Sequence, residues 1–113
     1  MNYGDIKAQV ASLLHRTDLT DEIPGFIDAA RGAIKRRLNV EIGPFADDAA
    51  TDPFTDNDPY ILIYKAVSEG YAWVHNGPAG EHYDMRYNNE ADNYYIDNYA
   101  GDESPCIEVT QWD

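Results

Sequence analysis

The feature that most constrains the fold is an apolar stripe that recurs every three or four residues between positions 22 and 38. Such spacing puts the apolar side chains on one face of an α-helix, and that face must be buried against another element. Thr20 or Asp21 is the expected N-cap, and Pro24 is tolerated because it falls in the first helical turn. Three cations at positions 35 to 37 end the segment, where the helix dipole favours positive charge. The stripe consists of Ile23, Phe26, Ile27, Ala30, Ile34 and Leu38.

Two segments on either side of this helix show the same periodicity. Residues 4–15 carry apolar side chains at i, i+4, i+7 and i+8, with Asn2 or Asp5 as the expected cap. Residues 59–76 follow an aspartate and begin with Pro59 at the first helical position, and the Gly-Pro pair after them is expected to end the helix. The face that this helix is expected to bury consists of Leu62, Ile63, Ala66, Val67, Gly70, Trp73 and Val74.

The remaining segments complete an all-α prediction. A fourth helix is expected over residues 80–99, where tyrosines and one alanine recur at helical spacing. Residues 39–58 contain two Pro and five Asp without periodicity, and they predict a long acidic loop. Residues 101–113 alternate after Pro105 and predict an extended tail. We therefore expect one helical domain over 1–100, built as a small bundle of about four helices, and a separate tail.

The composition indicates a chain that is ordered by assembly. Leu, Ile, Val and Phe together number 22, a thin supply of core residues for a net charge of −13, although nine Tyr and two Trp add apolar area. Residues 1–40 carry six Lys/Arg against five Asp/Glu, a balance of +1, whereas residues 41–113 carry two against sixteen, a balance of −14. An acidic surface of this kind repels nucleic acid and anionic membranes. We expect an obligate or nearly obligate assembly with protein partners.

No catalytic, cofactor or metal site is predicted. The three histidines, at positions 15, 75 and 82, do not have the spacing of a zinc pair, and no segment matches a calcium loop. Cys106 has acidic neighbours that disfavour a reactive thiolate, so an inert side chain is the simpler interpretation. A single cysteine, no signal segment and no apolar run of about 18 residues predict synthesis in the cytoplasm without membrane insertion.

Two groups of side chains are candidates for binding. Some of the cations near the end of the second helix flank its apolar stripe, where a guanidinium either extends into water or meets a carboxylate, in its own chain or in a neighbouring copy. A solvated helix end explains the cations as well, and ordinary core packing explains the tyrosines as well. The tail could add a strand to a partner. The candidates are Arg31, Lys35, Arg36, Arg37, Tyr60, Tyr64 and Tyr71 for an interface, and Ile107, Val109 and Trp112 for tail docking.

The stretch "HRTDLTDEIPGFIDAARGAIKRRL" resembles the N-terminal signature of the head-to-tail adaptor proteins of short-tailed bacteriophages. A later helix that opens with Pro-Tyr and is rich in Tyr and Ala, here from Pro59, is also similar to the family. Family members are usually longer, with a β-rich insertion between the second and third helices where this chain has only the loop 39–58. The matching residues are Tyr3, Ile6, Lys7, Leu14, Arg16, Thr17, Asp18, Leu19, Thr20, Ile23, Pro24, Phe26, Ile27, Ala30, Ile34, Arg36 and Leu38.

The resemblance implies a structural protein of the virion, assembled in the host cytoplasm and located at the head-tail junction. Adaptors of this kind form a ring, usually dodecameric, that binds the portal protein, extends the DNA channel and offers a platform for a tail or nozzle protein. DNA would pass through without sequence-specific binding. Two other interpretations remain open: an acidic DNA mimic that inhibits a host nucleic-acid-binding protein, and a helical accessory domain.

Overall fold

A computed structural model describes residues 1–97, which form five α-helices and contain no β-strand within that range. The all-α class is therefore confirmed for this part of the chain. The predicted tail, with Ile107, Val109 and Trp112, lies outside the described residues, as does Cys106. The helices are α1 (Tyr3–Leu14), α2 (Ile23–Leu38), α3 (Pro53–Asn57), α4 (Pro59–Trp73) and α5 (Gly77–Tyr95).

The helix α4 is the centre of the fold, and it packs against each of the other four helices. The described part measures 53 × 32 × 18 Å, so it is a flat slab with little depth for a core. All six residues of the predicted α2 stripe are buried, as predicted. Gly70 lets α1 approach α4 closely, because a Cβ at that position would lie 2.8 Å from Cδ2 of Leu14.

The two N-terminal helices begin in different ways. At the start of α1 the Asn2 side chain accepts a hydrogen bond from the Asp5 N–H at 2.8 Å, and the Asp5 carboxylate accepts one from the Asn2 N–H, so both predicted cap residues act together. The predicted cap of α2 is wrong: Glu22 is at the N-cap and makes no capping hydrogen bond with its side chain. The Thr20 hydroxyl instead donates to the carbonyl of Thr17, which tightens the preceding turn.

The predicted acidic loop is shorter and more ordered than expected. Residues 53–57 form α3, because Asp52 caps the Phe54 N–H at 2.9 Å and proline follows at the first helical position. Phe54 is buried beside Tyr94 on α5. Residues 45–50 lie along α1, where the Tyr3 N–H donates to the carbonyl of Ala50 at 2.9 Å. The loop is therefore a fixed part of the domain.

The predictions for α4 and α5 need two corrections. Trp73, expected in the core, is 59% exposed at the end of α4, whereas Gly70 and Tyr71 of the same turn contact α1. The Gly77-Pro78 pair, expected to end the third helix, begins α5, and Asn76 caps the Ala79 N–H. Proline fits this first turn because proline has no amide hydrogen and the first turn of a helix does not require one. The predicted face of α5 is confirmed at Tyr87 and Ala91, which are buried. Tyr95, predicted on the same face, is 45% exposed.

Candidate functional site

Three of the four α2 cations predicted at an interface pair with carboxylates of their own chain, and two of these three hold the segment after α2. The Arg31 Nε donates to the carbonyl of Ile42 at 2.5 Å, and its guanidinium pairs with Asp28 at 2.9 Å. Lys35 pairs with Glu41 at 2.5 Å. These contacts hold the chain after α2 against the helix, so Arg31 and Lys35 have a structural use.

Arg37 and Arg36 are neighbours in sequence with different surroundings. Arg37 pairs with Asp92 at 2.5 Å, donates to the Asn88 amide oxygen and lies 5.6 Å from the ring centroid of Tyr87, so it joins the end of α2 to α5. Arg36 is exposed and makes no hydrogen bond or ion pair with any residue of 1–97. Of the four predicted interface cations, Arg36 is the one without a hydrogen bond or ion pair within residues 1–97, and its use in an interface stays a prediction.

The predicted interface tyrosines form a seam between α4 and α5. Tyr64 lies 5.4 Å from Tyr60 and 6.0 Å from Tyr83, and Tyr71 stacks on Tyr83 at 5.8 Å. The Tyr71 hydroxyl donates to the carbonyl of Leu13 at 2.9 Å, and burial raises the pKa of this phenol, as does the nearby Tyr83. The three predicted tyrosines are half-buried, and their use in an interface stays a prediction.

A second charged group, centred on Lys65, also serves the α4–α5 contact. Its ammonium pairs with Asp84 at 3.2 Å and with Glu69 at 3.4 Å, while the Ser68 hydroxyl donates to Asp84 at 2.8 Å. Burial lowers the pKa of Lys65, but the hydrogen bond and charge of Asp84, together with Glu69, more than offset that effect and raise the pKa overall. Lys65 is thus a charged residue satisfied inside the fold.

Between α2 and α4 the surface opens into an apolar groove, which we call the Trp73 groove. Its volume is about 470 Å³. The indole of Trp73 forms one wall and lies 6.1 Å from the ring of Phe26. Small side chains keep the groove open, and two carboxylates lie at its edge. The residues that line it are Glu22, Gly25, Phe26, Ala29, Glu69, Ala72 and Trp73.

A hollow beside α5, which we call the Arg86 surface, has a different chemistry. The Arg86 Nε donates to the His82 Nε2 at 3.0 Å, and the guanidinium carbon lies 5.6 Å from the ring of Tyr64 and 6.0 Å from that of Tyr83. Met85 next to it is 64% exposed. The hollow has a volume of about 390 Å³ and is lined by Tyr64, His82, Met85, Arg86, Asn89 and Glu90.

Arg86 differs from most cations of the chain because it forms no ion pair with a carboxylate of residues 1–97. All eight Lys and Arg residues lie within residues 1–97, and six of them pair with a carboxylate there. The two that do not are Arg36 and Arg86. In a chain with 21 acidic residues, a guanidinium that forms no ion pair is a local exception.

Neither metal binding nor membrane insertion is indicated by the geometry of residues 1–97. This part of the chain contains no group of three or more His, Cys, Asp and Glu side chains that could hold a metal ion. None of its helices is both long and apolar enough to cross a bilayer. His15 and His75 take left-handed backbone conformations at the ends of α1 and α4, with φ of 56° and 60°.

Sequence reasoning missed both exposed surfaces. The sequence feature that could have predicted the Trp73 groove is the pair Gly25 and Ala29, which lie one helical turn apart beside Phe26. Their small side chains leave a shallow surface on that side of α2. The sequence feature that could have predicted the Arg86 surface is His82, four residues before Arg86 on the same helix face. A neutral histidine can accept a hydrogen bond from the guanidinium but does not neutralise its charge.

Comparison of the chain with family models, with curated proteins and with solved structures gives no match.

Proposed function

We propose that this chain is a head-to-tail adaptor of a short-tailed bacteriophage, a structural protein that forms a ring beneath the portal, extends the DNA channel and carries the tail. The observation that carries the proposal is the signature over residues 14–38, which folds as one continuous unit. Arg16 and Asp18 pair at 2.6 Å across the turn, and Leu19 is buried behind them. The stretch from Leu14 onward thus forms the turn after α1 and the whole of α2.

Two unlike surfaces on opposite sides of α4 support a ring. Tyr64 and Trp73 are nine residues apart on α4. At about 100° per residue this separation is about two and a half turns, so the two side chains point in opposite directions from the helix. Tyr64 lies at the Arg86 surface and Trp73 at the Trp73 groove. A ring subunit needs different faces toward its two neighbours, because its contacts are heterologous.

The distribution of acid supports a channel lining. Asp47 and Asp48, in the loop that lies along α1, are exposed, and Asp48 has only one cationic partner, Lys7, at 2.7 Å. A wall of carboxylates does not retain DNA, because both carry negative charge. We infer that the loop 39–58 faces the channel or the tail, and that the genome slides past it.

The decisive experiment is native mass spectrometry of the purified full chain, alone and mixed with the portal protein encoded in the same genome. We expect a stoichiometric ring on the portal. A monomer that ignores the portal would contradict the proposal. If that monomer instead bound a basic nucleic-acid-binding protein of the host, the DNA-mimic function would take its place.

A charge reversal at Arg36 tests the portal or subunit contact. Arg36→Glu should abolish ring formation on the portal and leave helicity unchanged, since Arg36 has no partner within residues 1–97. Lys7→Glu on α1 is the charge control, because it changes the net charge equally. It also breaks the pair of Lys7 with Asp48, so the helicity of both variants is compared. Unchanged ring formation by Arg36→Glu would remove this residue from the interface.

A further inference from the structure

We propose that the Arg86 surface of one copy binds in the Trp73 groove of a second copy, with Met85 in the apolar groove and the Arg86 guanidinium against the Glu22 carboxylate at its edge. The inference rests on the proposed function, since it assigns the contact between neighbouring ring subunits. It depends on the chemistry of two surfaces that lie on opposite sides of α4.

The Trp73 groove is built to receive an apolar side chain next to a cation. Its walls are Phe26 and the 59% exposed indole of Trp73, and its floor is kept open by alanine and glycine. The Glu22 side chain at its edge makes no hydrogen bond or ion pair with residues 1–97. An exposed indole beside an unpaired carboxylate is the arrangement that a methionine–arginine pair complements.

The Arg86 surface offers that pair in a prearranged form. The hydrogen bond from Nε to His82, together with the rings of Tyr64 and Tyr83, restricts the orientation of the guanidinium. Its terminal nitrogens remain available for a carboxylate. Because less side-chain freedom is lost on binding, such an arginine contributes more to affinity than a freely rotating one.

Arg86 and Glu22 carry opposite charges and both lack an ion-pair partner within residues 1–97, so a second copy of the chain can pair them. Two chains that each carry a charge of −13 repel each other, so a contact between copies requires cations at the interface. Within residues 1–97 only Arg36 and Arg86 lack a carboxylate partner. Glu90, which lines the same hollow as Arg86, opposes the contact with Glu22 and limits its strength.

The position of the two surfaces determines the kind of assembly. Because the surfaces lie on opposite sides of α4, each copy can bind one neighbour through its groove and another through Arg86. Contacts of this heterologous kind continue from copy to copy and close into a ring when the rotation between copies allows it.

The test is a charge exchange measured by sedimentation velocity of the full chain at increasing concentration. Arg86→Glu and Glu22→Arg should each raise the dissociation constant for self-association at least about tenfold, because each places like charges together. The two changes in one chain should restore most of the affinity. A double variant that stays as weak as the single ones would overturn the proposal, as would wild-type self-association that Arg86→Glu does not alter.

Three further variants keep the test independent of folding. Trp73→Ala removes a groove wall without changing charge and should also weaken self-association, whereas Lys7→Glu should not, although it changes the net charge as much as Arg86→Glu does. Glu90→Gln should strengthen self-association, because it removes the carboxylate that opposes Glu22. Circular dichroism of each variant establishes that the helices are intact.

The outcomes separate this inference from the proposed function. Rings that form on the portal with wild-type and Arg86→Glu chains alike would refute the groove contact and leave the adaptor function standing. A wild-type chain that neither self-associates nor joins the portal would refute both.

Discussion

Replacing Gly70 by alanine tests how closely α1 and α4 are packed. An added Cβ would lie 2.8 Å from Cδ2 and 3.0 Å from Cδ1 of Leu14, and 3.3 Å from Cδ2 of Phe26. Leu14 is buried in the core, so its side chain cannot move without displacing its own neighbours. Gly32 in α2 provides the matched control, because a Cβ there would meet only the flexible end of Arg36 at 3.4 Å.

The two substitutions share one free-energy contribution and differ in another. Alanine gains about 1 kcal/mol over glycine in a helix interior, and this gain applies to both sites. Gly70→Ala also incurs an overpacking cost of about 1–3 kcal/mol. We therefore expect Gly32→Ala to stabilise the fold by up to about 1 kcal/mol and Gly70→Ala to be about 1–3 kcal/mol less favourable than that.

Urea unfolding followed by circular dichroism measures both free energies of unfolding, with unchanged m-values as the check on two-state behaviour. A double-mutant cycle with Leu14→Ala isolates the steric contact between Leu14 and the added Cβ. Leu14→Ala alone should cost about 2–5 kcal/mol by leaving a cavity, and in that background Gly70→Ala should become stabilising by about 1 kcal/mol. If Gly70→Ala stabilises the wild-type chain as much as Gly32→Ala does, the close approach of α1 and α4 is not as described.

Three other predictions follow from the contacts above. Arg37→Ala should lower the free energy of unfolding by about 1 kcal/mol through loss of the exposed pair with Asp92. Arg36→Ala should change it by no more than about 0.5 kcal/mol. Equal effects of the two substitutions in urea unfolding would refute the difference between the two arginines. Burial raises the pKa of Asp58 above its ordinary value of 3.8, and the negative charge of Asp97 raises it further. The ionised form of Asp58 therefore destabilises the fold at neutral pH. Asp58→Asn should therefore stabilise the chain at pH 7, with a gain that fades as the pH falls through the raised pKa and is absent below the ordinary value; a gain that persists in acid would refute this cause. Deleting residues 102–113 should weaken portal binding in pull-down assays without lowering helicity, and full binding by the truncated chain would remove the tail from the interface.

Much of the fold follows from local sequence. The starts of α1 and α4 and the end of α2 lie within a residue of their predicted positions, and the α2 stripe is buried as a whole. Helical hydrogen bonds join residues four apart, and caps act within three, so short windows of sequence contain the needed information. The exceptions have local reasons as well: α3 is only five residues long, and α2 begins without a side-chain cap.

The candidate surfaces could not be predicted in the same way. Trp73 lies on the apolar face of its helix, and only the end of α4 and the small residues of α2 decide that it is exposed. Arg37 and Arg36 are equivalent in sequence, yet the partners of Arg37 lie 51 and 55 residues away on α5. The sequence by itself determined the four long helices, most of their buried faces and the excess of acid, because each depends on spacing or composition. The tertiary structure decided that Arg37 is paired and that Arg36 faces solvent, because the pair of Arg37 with Asp92 requires α2 and α5, 55 residues apart in sequence, to meet within 4 Å.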